Sequence, residues 1–352
     1  MKTYIRKSVE AMSGYVPGEQ PKDPGIIKLN TNENPYPPSP RVAEALRGCE
    51  ADRLRFYPDP VCRELRTAIA KLHGASPDQV FAGNGSDEVL ALCTRAFVED
   101  DGCIGYFDPS YSLYPVLAEI RAVPGKAVAL GPQFDWRRPP RDFAPLFFLT
   151  CPNAPTGIRY PRAEIEAFCR GYEGVVVIDE AYVDFAGENC MDLALRLENV
   201  IVARTMSKSY ALAGLRVGYA VGPAKLIAAM YKVKDSYNLD MLAQRLALAA
   251  VNDQAYMLEM AARIKATRAR LRTALLGLGY TMTDSETNFL WVKPPAGTAA
   301  AAVFDGLRRR KILVRYFPGE RTGDYLRITV GTDAEADALV AALQQMAEKG
   351  GV

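Results

Sequence analysis

The sequence predicts an α/β fold with a mostly parallel central sheet, followed by a smaller α+β domain. Three observations lead there. Between about residues 40 and 222, short apolar runs alternate with helical patterns, as in successive βαβ units. Beyond residue 222 the pattern turns to consecutive helices and then to mixed elements. The chain has 352 residues, 49% of them apolar, enough for a large core and for two folding units.

The predicted strands of the first unit are QVFAG (79–83), CIGYF (103–107), LFFLT (146–150), VVVID (175–179), VIVAR (200–204) and RVGYAV (216–221). Helix starts fall between them: Ser39-Pro40 before RVAEALRGC, Ser86 with Asp87 and Glu88 in a first turn, and Pro161 before RAEIEAFCR. Helices then follow at PAKLIAAMYKVK, at LDMLAQRLALAAV and from about Asp253 to Leu276, the last long enough to bridge two domains. The strand NFLWVK, the helix AAAVFDGLRRR, the strands KILVRY and YLRITVG and a helix from Asp333 complete the second unit. The expected division is an N-terminal segment, 1–38, bordering the small domain, a large domain over 39–252 and a small C-terminal domain over 253–352.

Composition excludes several function classes. With 43 basic and 41 acidic residues the net charge is +2, which gives no reason to expect a nucleic-acid or membrane surface, and Arg308–Lys311 reads as a solvated helix end. Seven cysteines form no C-x-x-C pair, so neither a disulfide framework nor a metal site is expected. No run has the length of a signal-peptide core or a membrane span, which makes the cytoplasm the expected compartment. The single histidine, His73, sits at a helix end in KLHGAS and is expected to be structural.

Three stretches can carry chemistry. FAGNGSDE (81–88) runs a strand through a glycine turn into a helix start, which is either a phosphate cradle of backbone N–H groups or a structural turn. The third glycine of a dinucleotide fingerprint is missing, because Glu88 stands there, and the Walker pattern is absent. VVVIDEAYVDF delivers Asp179 to the end of an apolar strand, where open α/β sheets bind ligands; it can serve a ligand or cap the next helix, with Tyr182 facing the same crevice. VIVARTMSKSYALAGLR brings Thr205, Ser207 and Lys208 to the same sheet edge, and Arg216 could lower the lysine's pKa while binding a phosphate. A solvated loop is the plain alternative for Lys208. Together the parts match what pyridoxal phosphate needs: a phosphate site, an acid for the ring nitrogen, a phenol for the ring oxygen and an amine.

The chain also resembles the fold-type I pyridoxal-phosphate aminotransferases, and within them the histidinol-phosphate aminotransferase group, over nearly its whole length. The resemblance lies in YVPGEQP, IKLNTNENPYPPSP, RFYPDP, GNGSDE, DPSYSLY, PNAPTG, VIDEAYVDF, RTMSKSYALAGLRVGY, SYNLDMLAQ, ILVRYF and YLRITVG, in that order. It implies helices on both faces of the sheet, pyridoxal 5'-phosphate as cofactor and a homodimer with shared active sites. By the resemblance Lys208 is the Schiff-base lysine and the base that moves the Cα proton, Asp179 pairs with the pyridine nitrogen, Tyr182 bonds the ring hydroxyl and Tyr111 stacks on the ring. Backbone groups at Ser86 and Asp87, with Thr205, Ser207 and Arg216, would hold the cofactor phosphate, joined by Tyr57 from the neighbouring subunit. Arg327 would bind the donor carboxylate, while Arg315 and Tyr15 would meet the substrate phosphate or distal carboxylate.

One position departs from the family. The usual N-P-N-N-P-T-G is CPNAPTG here, and the asparagine that bonds the ring oxygen is replaced by Ala154. Tyr182 then carries that contact alone, or Asn153 or a water substitutes. The expected reaction is transfer of an amino group between glutamate and imidazole-acetol phosphate, giving histidinol phosphate. Its rivals are a tyrosine or phenylalanine aminotransferase and a threonine-phosphate decarboxylase. A nicotinamide oxidoreductase and a catalytically silent binding protein are alternatives from other classes, disfavoured by the missing glycine and the retained lysine.

Overall fold

The computed structural model of the chain describes residues 3–23 and 25–348. Its strands are β1 (Ile27–Lys28), β2 (Val80–Gly83), β3 (Ile104–Asp108), β4 (Gly125–Ala129), β5 (Leu146–Thr150), β6 (Val175–Asp179), β7 (Val200–Thr205) and β8 (Gly218–Val221). β9 (Thr281–Met282), β10 (Phe289–Lys293), β11 (Ile312–Leu313), β12 (Arg315–Tyr316) and β13 (Leu326–Thr329) follow. The helices are α1 (Lys7–Ala11), α2 (Pro40–Arg47), α3 (Arg63–His73), α4 (Gly85–Phe97), α5 (Leu113–Arg121) and α6 (Arg162–Gly171). They continue as α7 (Met191–Arg196), α8 (Ala224–Val233), α9 (Met241–Val251), α10 (Gln254–Gly277), α11 (Ala300–Arg309) and α12 (Asp333–Glu348).

Seven strands make the central sheet, in the order β2-β8-β7-β6-β5-β3-β4. β7, β6, β5, β3 and β4 run parallel, and β8 is antiparallel to both its neighbours. The unbroken apolar runs 146–149 of β5 and 175–178 of β6, each ending in a polar residue, suit a sheet buried on both faces. Because strand side chains alternate, Phe147, Val176 and Val202 join one core with α3, α6, α7 and α9. Phe148, Val177 and Ile201 join the other with α4, α5 and α8. The expected α/β sheet, covered on both faces, is the observed one.

A separate four-stranded sheet runs β12-β13-β10-β9. Leu290, Val292, Leu326 and Ile328 pack with Leu271, Leu275 and Leu339 of α10 and α12 in a third core. Phe289 and Trp291, on the opposite face of β10, belong to the first core. α10 reaches both, with Met257, Ala261 and Ile264 in the first core and Leu271 and Leu275 in the third. The N-terminal segment joins them too: Ile27–Lys28 pairs in parallel with Ile312–Leu313, and Leu29 lies in the third core.

Two local expectations change, and one strand, β4, is additional to those expected. α4 starts at Gly85, with Asn84 as its N-cap, so Ser86 lies inside the first turn rather than capping it. The run KILVRY is broken at Val314 into β11 and β12, which belong to different sheets. β4 lies at the sheet edge with an exposed pattern, lacking the apolar run that marks the buried strands. His73 ends α3 before left-handed Gly74, and its Nε2 lies 2.9 Å from the Tyr219 hydroxyl. Burial depresses its pKa to about 3, so it is neutral at physiological pH.

Candidate active site

The parallel strands β5, β6 and β7 end side by side, so Thr150, Asp179 and Thr205 meet at one edge of the sheet. A cavity of about 390 Å³ opens there, lined among others by Ser86, Asp87, Tyr111, Asp179, Tyr182, Thr205, Ser207, Lys208 and Arg216. A second, of about 420 Å³, adjoins it and is lined by Tyr15, Arg315 and Arg327 with Tyr106, Ser110 and Phe317. Lys208, Tyr111, Thr31, Gln20 and Ala154 line both.

Asp179 is 2% exposed, and its two carboxylate oxygens accept from Tyr114 Oη at 2.9 Å and from the Ala181 amide at 3.1 Å. Burial raises its pKa to about 6 despite these bonds. Tyr114 also bonds Thr150 Oγ1, which ties the acid to the neighbouring strand. Lys208 Nζ donates to the Thr31 carbonyl at 3.2 Å and lies 5.9 Å from the centre of the Tyr182 ring. Burial, and after it the Arg327 charge, lower the Lys208 pKa to about 8. Arg216, expected from the sequence to be the acting cation, ranks behind Arg327.

At the other end of the cavity, glycine makes a close approach possible. Gly85 has φ +79°, and a Cβ there would sit 2.6 Å from Arg216 Nη2. A Cβ on Gly218 would sit 2.4 Å from the Ser86 amide nitrogen, so β8 runs directly against the start of α4. The Asp87 carboxylate accepts from Arg216 Nη2 at 3.2 Å and from Tyr111 Oη at 3.0 Å, fixing both. Arg216 Nη1 also donates to Ser207 Oγ at 3.4 Å, and Thr205 Oγ1 donates to Ser207 Oγ at 3.0 Å.

Arg315 and Arg327 are direct partners across β12 and β13. Arg327 donates to the Asn30 carbonyl at 3.1 Å, while its buried Nε has no partner among the described residues. Arg315 donates to the carbonyls of Val16 and Pro17, holding the N-terminal segment over the cavity. Tyr15 meets Tyr111 edge to face at 6.1 Å.

Two residues named from the sequence line neither cavity: Asn153, expected there, and Tyr57, expected to serve a neighbouring subunit. Asn153 is buried with its amide turned away from the cavity, accepting from Ser110 Oγ at 2.8 Å and donating to Pro109 O in the loop after β3 and to Thr156 Oγ1 in its own. Ala154, not Asn153, lines the cavity, and the Ala154-Pro155 bond is cis. Tyr57 is 79% exposed and stacks on Tyr237 at 4.3 Å, on the outer surface. Sequence reasoning assigned no role to Tyr114, Thr31, Asn32 or Asn34. A signal was present in NTNEN, where closely spaced asparagines follow an apolar run; Asn34 bonds the carbonyls of Lys208 and Ser209.

The chain belongs to the aminotransferase class I and II family, whose pattern it matches over residues 24–343. It is 50% identical to histidinol-phosphate aminotransferase 2 of Thiobacillus denitrificans, over 97% of this chain and 98% of that one. It is 45% identical to histidinol-phosphate aminotransferase of Synechocystis sp., again over 97% and 98%. The solved histidinol-phosphate aminotransferase of Sinorhizobium meliloti, in complex with pyridoxal-5'-phosphate, superimposes with a TM-score of 0.87 at 26% identity, covering 99% of each chain.

Proposed function

We propose that the chain binds pyridoxal 5'-phosphate in the first cavity and exchanges an amino group between glutamate and imidazole-acetol phosphate, yielding histidinol phosphate. The carrying observation is the arginine pair: Arg315 and Arg327 face each other across two strands at a cavity that also presents Lys208. Two guanidiniums suit substrates bearing a carboxylate or a phosphate.

The donor set fits the cofactor: a buried acid, an amine at the junction of the cavities, and hydroxyls, a helix start and an arginine where two glycines leave room. Asp179 would hold the ring-nitrogen proton, Tyr182 the ring oxygen and Tyr111 the ring face. The backbone N–H groups of Ser86 and Asp87, with Thr205, Ser207 and Arg216, would hold the phosphate. Pyridoxal phosphate supplies an electron sink for charge developing at the substrate Cα. Lys208 Nζ, at the junction of the two cavities, would hold the aldehyde end and would be placed to move the proton to and from the substrate Cα. With a pKa near 8, about a tenth of its amine is unprotonated at pH 7, far more than for an ordinary lysine.

We further propose a cytoplasmic homodimer in which Tyr57 reaches the cofactor phosphate of the neighbouring subunit. Tyr57 points outward beside exposed Leu54 and Phe56, which supports a partner there, and all seven cysteines are free, as suits a reducing compartment.

The test is turnover by the purified holoenzyme. Histidinol phosphate with 2-oxoglutarate is expected to give glutamate faster than tyrosine or phenylalanine does. Preference for the aromatic amino acids, or release of carbon dioxide from threonine phosphate, would overturn the substrate assignment.

A further inference from the structure

Asn32 lies where the N-terminal segment crosses the cavity, 1% exposed and at φ +56°, a left-handed conformation that asparagine tolerates better than most residues. Its amide is locked by a closed set of bonds. The Asn32 backbone N–H donates to Thr329 Oγ1 at 3.0 Å, and that hydroxyl donates back to Asn32 Oδ1 at 3.0 Å. The Asn32 carbonyl accepts from Asn288 Nδ2 at 2.9 Å. Flipping the amide would turn the Thr329 proton, itself buried, against an N–H, so the network fixes Oδ1 toward Thr329 and Nδ2 toward Tyr182.

Nδ2 donates to Tyr182 Oη at 2.9 Å. The phenol oxygen is thereby an acceptor on its Asn32 side, and its own proton has no acceptor among the described residues while the ring lines the first cavity. A hydroxyl that accepts a hydrogen bond also becomes a stronger donor. In the wall of the same cavity, the position where the resembled family carries a second amide donor is Ala154, and the amide of Asn153 is engaged by Pro109 and Thr156.

We infer that Asn32, locked by Thr329, is a positioning residue that commits the Tyr182 phenol to donate into the cavity, making up for the donor missing at Ala154. This rests on Tyr182 holding the cofactor's ring oxygen. Asn32 itself touches neither cofactor nor substrate; it sets the direction and strength of one proton.

The visible absorbance of the bound cofactor, titrated with pH before substrate is added, tests it. A donor at the ring oxygen stabilises its anionic form and lowers the titration midpoint; losing the donor raises it. Tyr182→Phe and Asn32→Leu are each expected to raise the midpoint by about half a unit or more, and the double variant no further than Tyr182→Phe alone. Ala154→Asn in the Asn32→Leu background is expected to bring the midpoint back down. Thr329→Val, which frees the amide to flip, moves it the same way as Asn32→Leu by a smaller step and serves if Asn32→Leu does not fold. An unchanged midpoint in both Asn32→Leu and Thr329→Val, with Tyr182→Phe shifted, would overturn the role of Asn32. An unchanged midpoint in Tyr182→Phe would instead sink the placement of Tyr182 at the ring oxygen.

Discussion

Lys208 and Asp179 are each held in the less comfortable of their two charge states. The lysine's native pKa is about 8 and its unfolded value near 10.5, so below pH 8 folding carries the cost of burying a cation, and stability rises as pH climbs from about 8 to 10.5. Asp179 is the mirror case. Its native pKa near 6 exceeds the unfolded value, so stability is lost as pH rises from about 4 to 6 and stays lower above that. Lys208→Met in the cofactor-free protein is therefore expected to raise stability at pH 7, by up to about 3 kcal/mol, with the gain shrinking toward pH 10. Urea titrations at several pH values check it. The same variant is expected to lose about 10³-fold or more in transamination, the usual fate of a missing acid–base group that also anchors the cofactor. The lysine and the acid were legible in the sequence because apolar strands run straight into them. The identity of the cation beside Lys208 was not: Arg327 is 119 residues away in the chain and arrives only through the second unit's packing.

The start of α4 and β8 form one device at the scale of elements. Neither is unusual alone, but Gly218 lets the strand pass within contact distance of the Ser86 amide, and Gly85 leaves room for Arg216. Gly218→Ala is expected to push the helix start off the strand, costing about 1–3 kcal/mol in stability and weakening cofactor affinity about tenfold or more. Thermal unfolding of the cofactor-free protein and a fluorescence titration with cofactor separate the two effects. The sequence placed the buried strands to within one or two residues, because their apolar runs are continuous. It did not place β4, whose edge position needs no such run, nor the break at Val314, where the chain leaves one sheet for another. The turn of the Asn153 amide away from the cavity depends on Ser110 and Pro109, about forty residues earlier, and has no local sign.

Over the whole molecule, the outward side of the segment from 46 to 57 carries Leu46, Leu54, Phe56 and Tyr57 exposed. A homodimer is expected to cover them. Light scattering should give twice the 38.6 kDa chain mass, and Tyr57→Phe should weaken cofactor binding without changing that mass. A mass equal to one chain would remove Tyr57 from the site.

Asn32 and its partner Thr329 are separated by 297 positions. At about 5–20 residues per second, a ribosome completes that interval in roughly 15–60 seconds. During that time the strand ends that carry Asp179 and lead to Lys208 can already be in place, while Asn32, made earlier, must wait for Thr329. The growing chain thus carries the acid and the amine of its site well before it has the contact that aims the phenol.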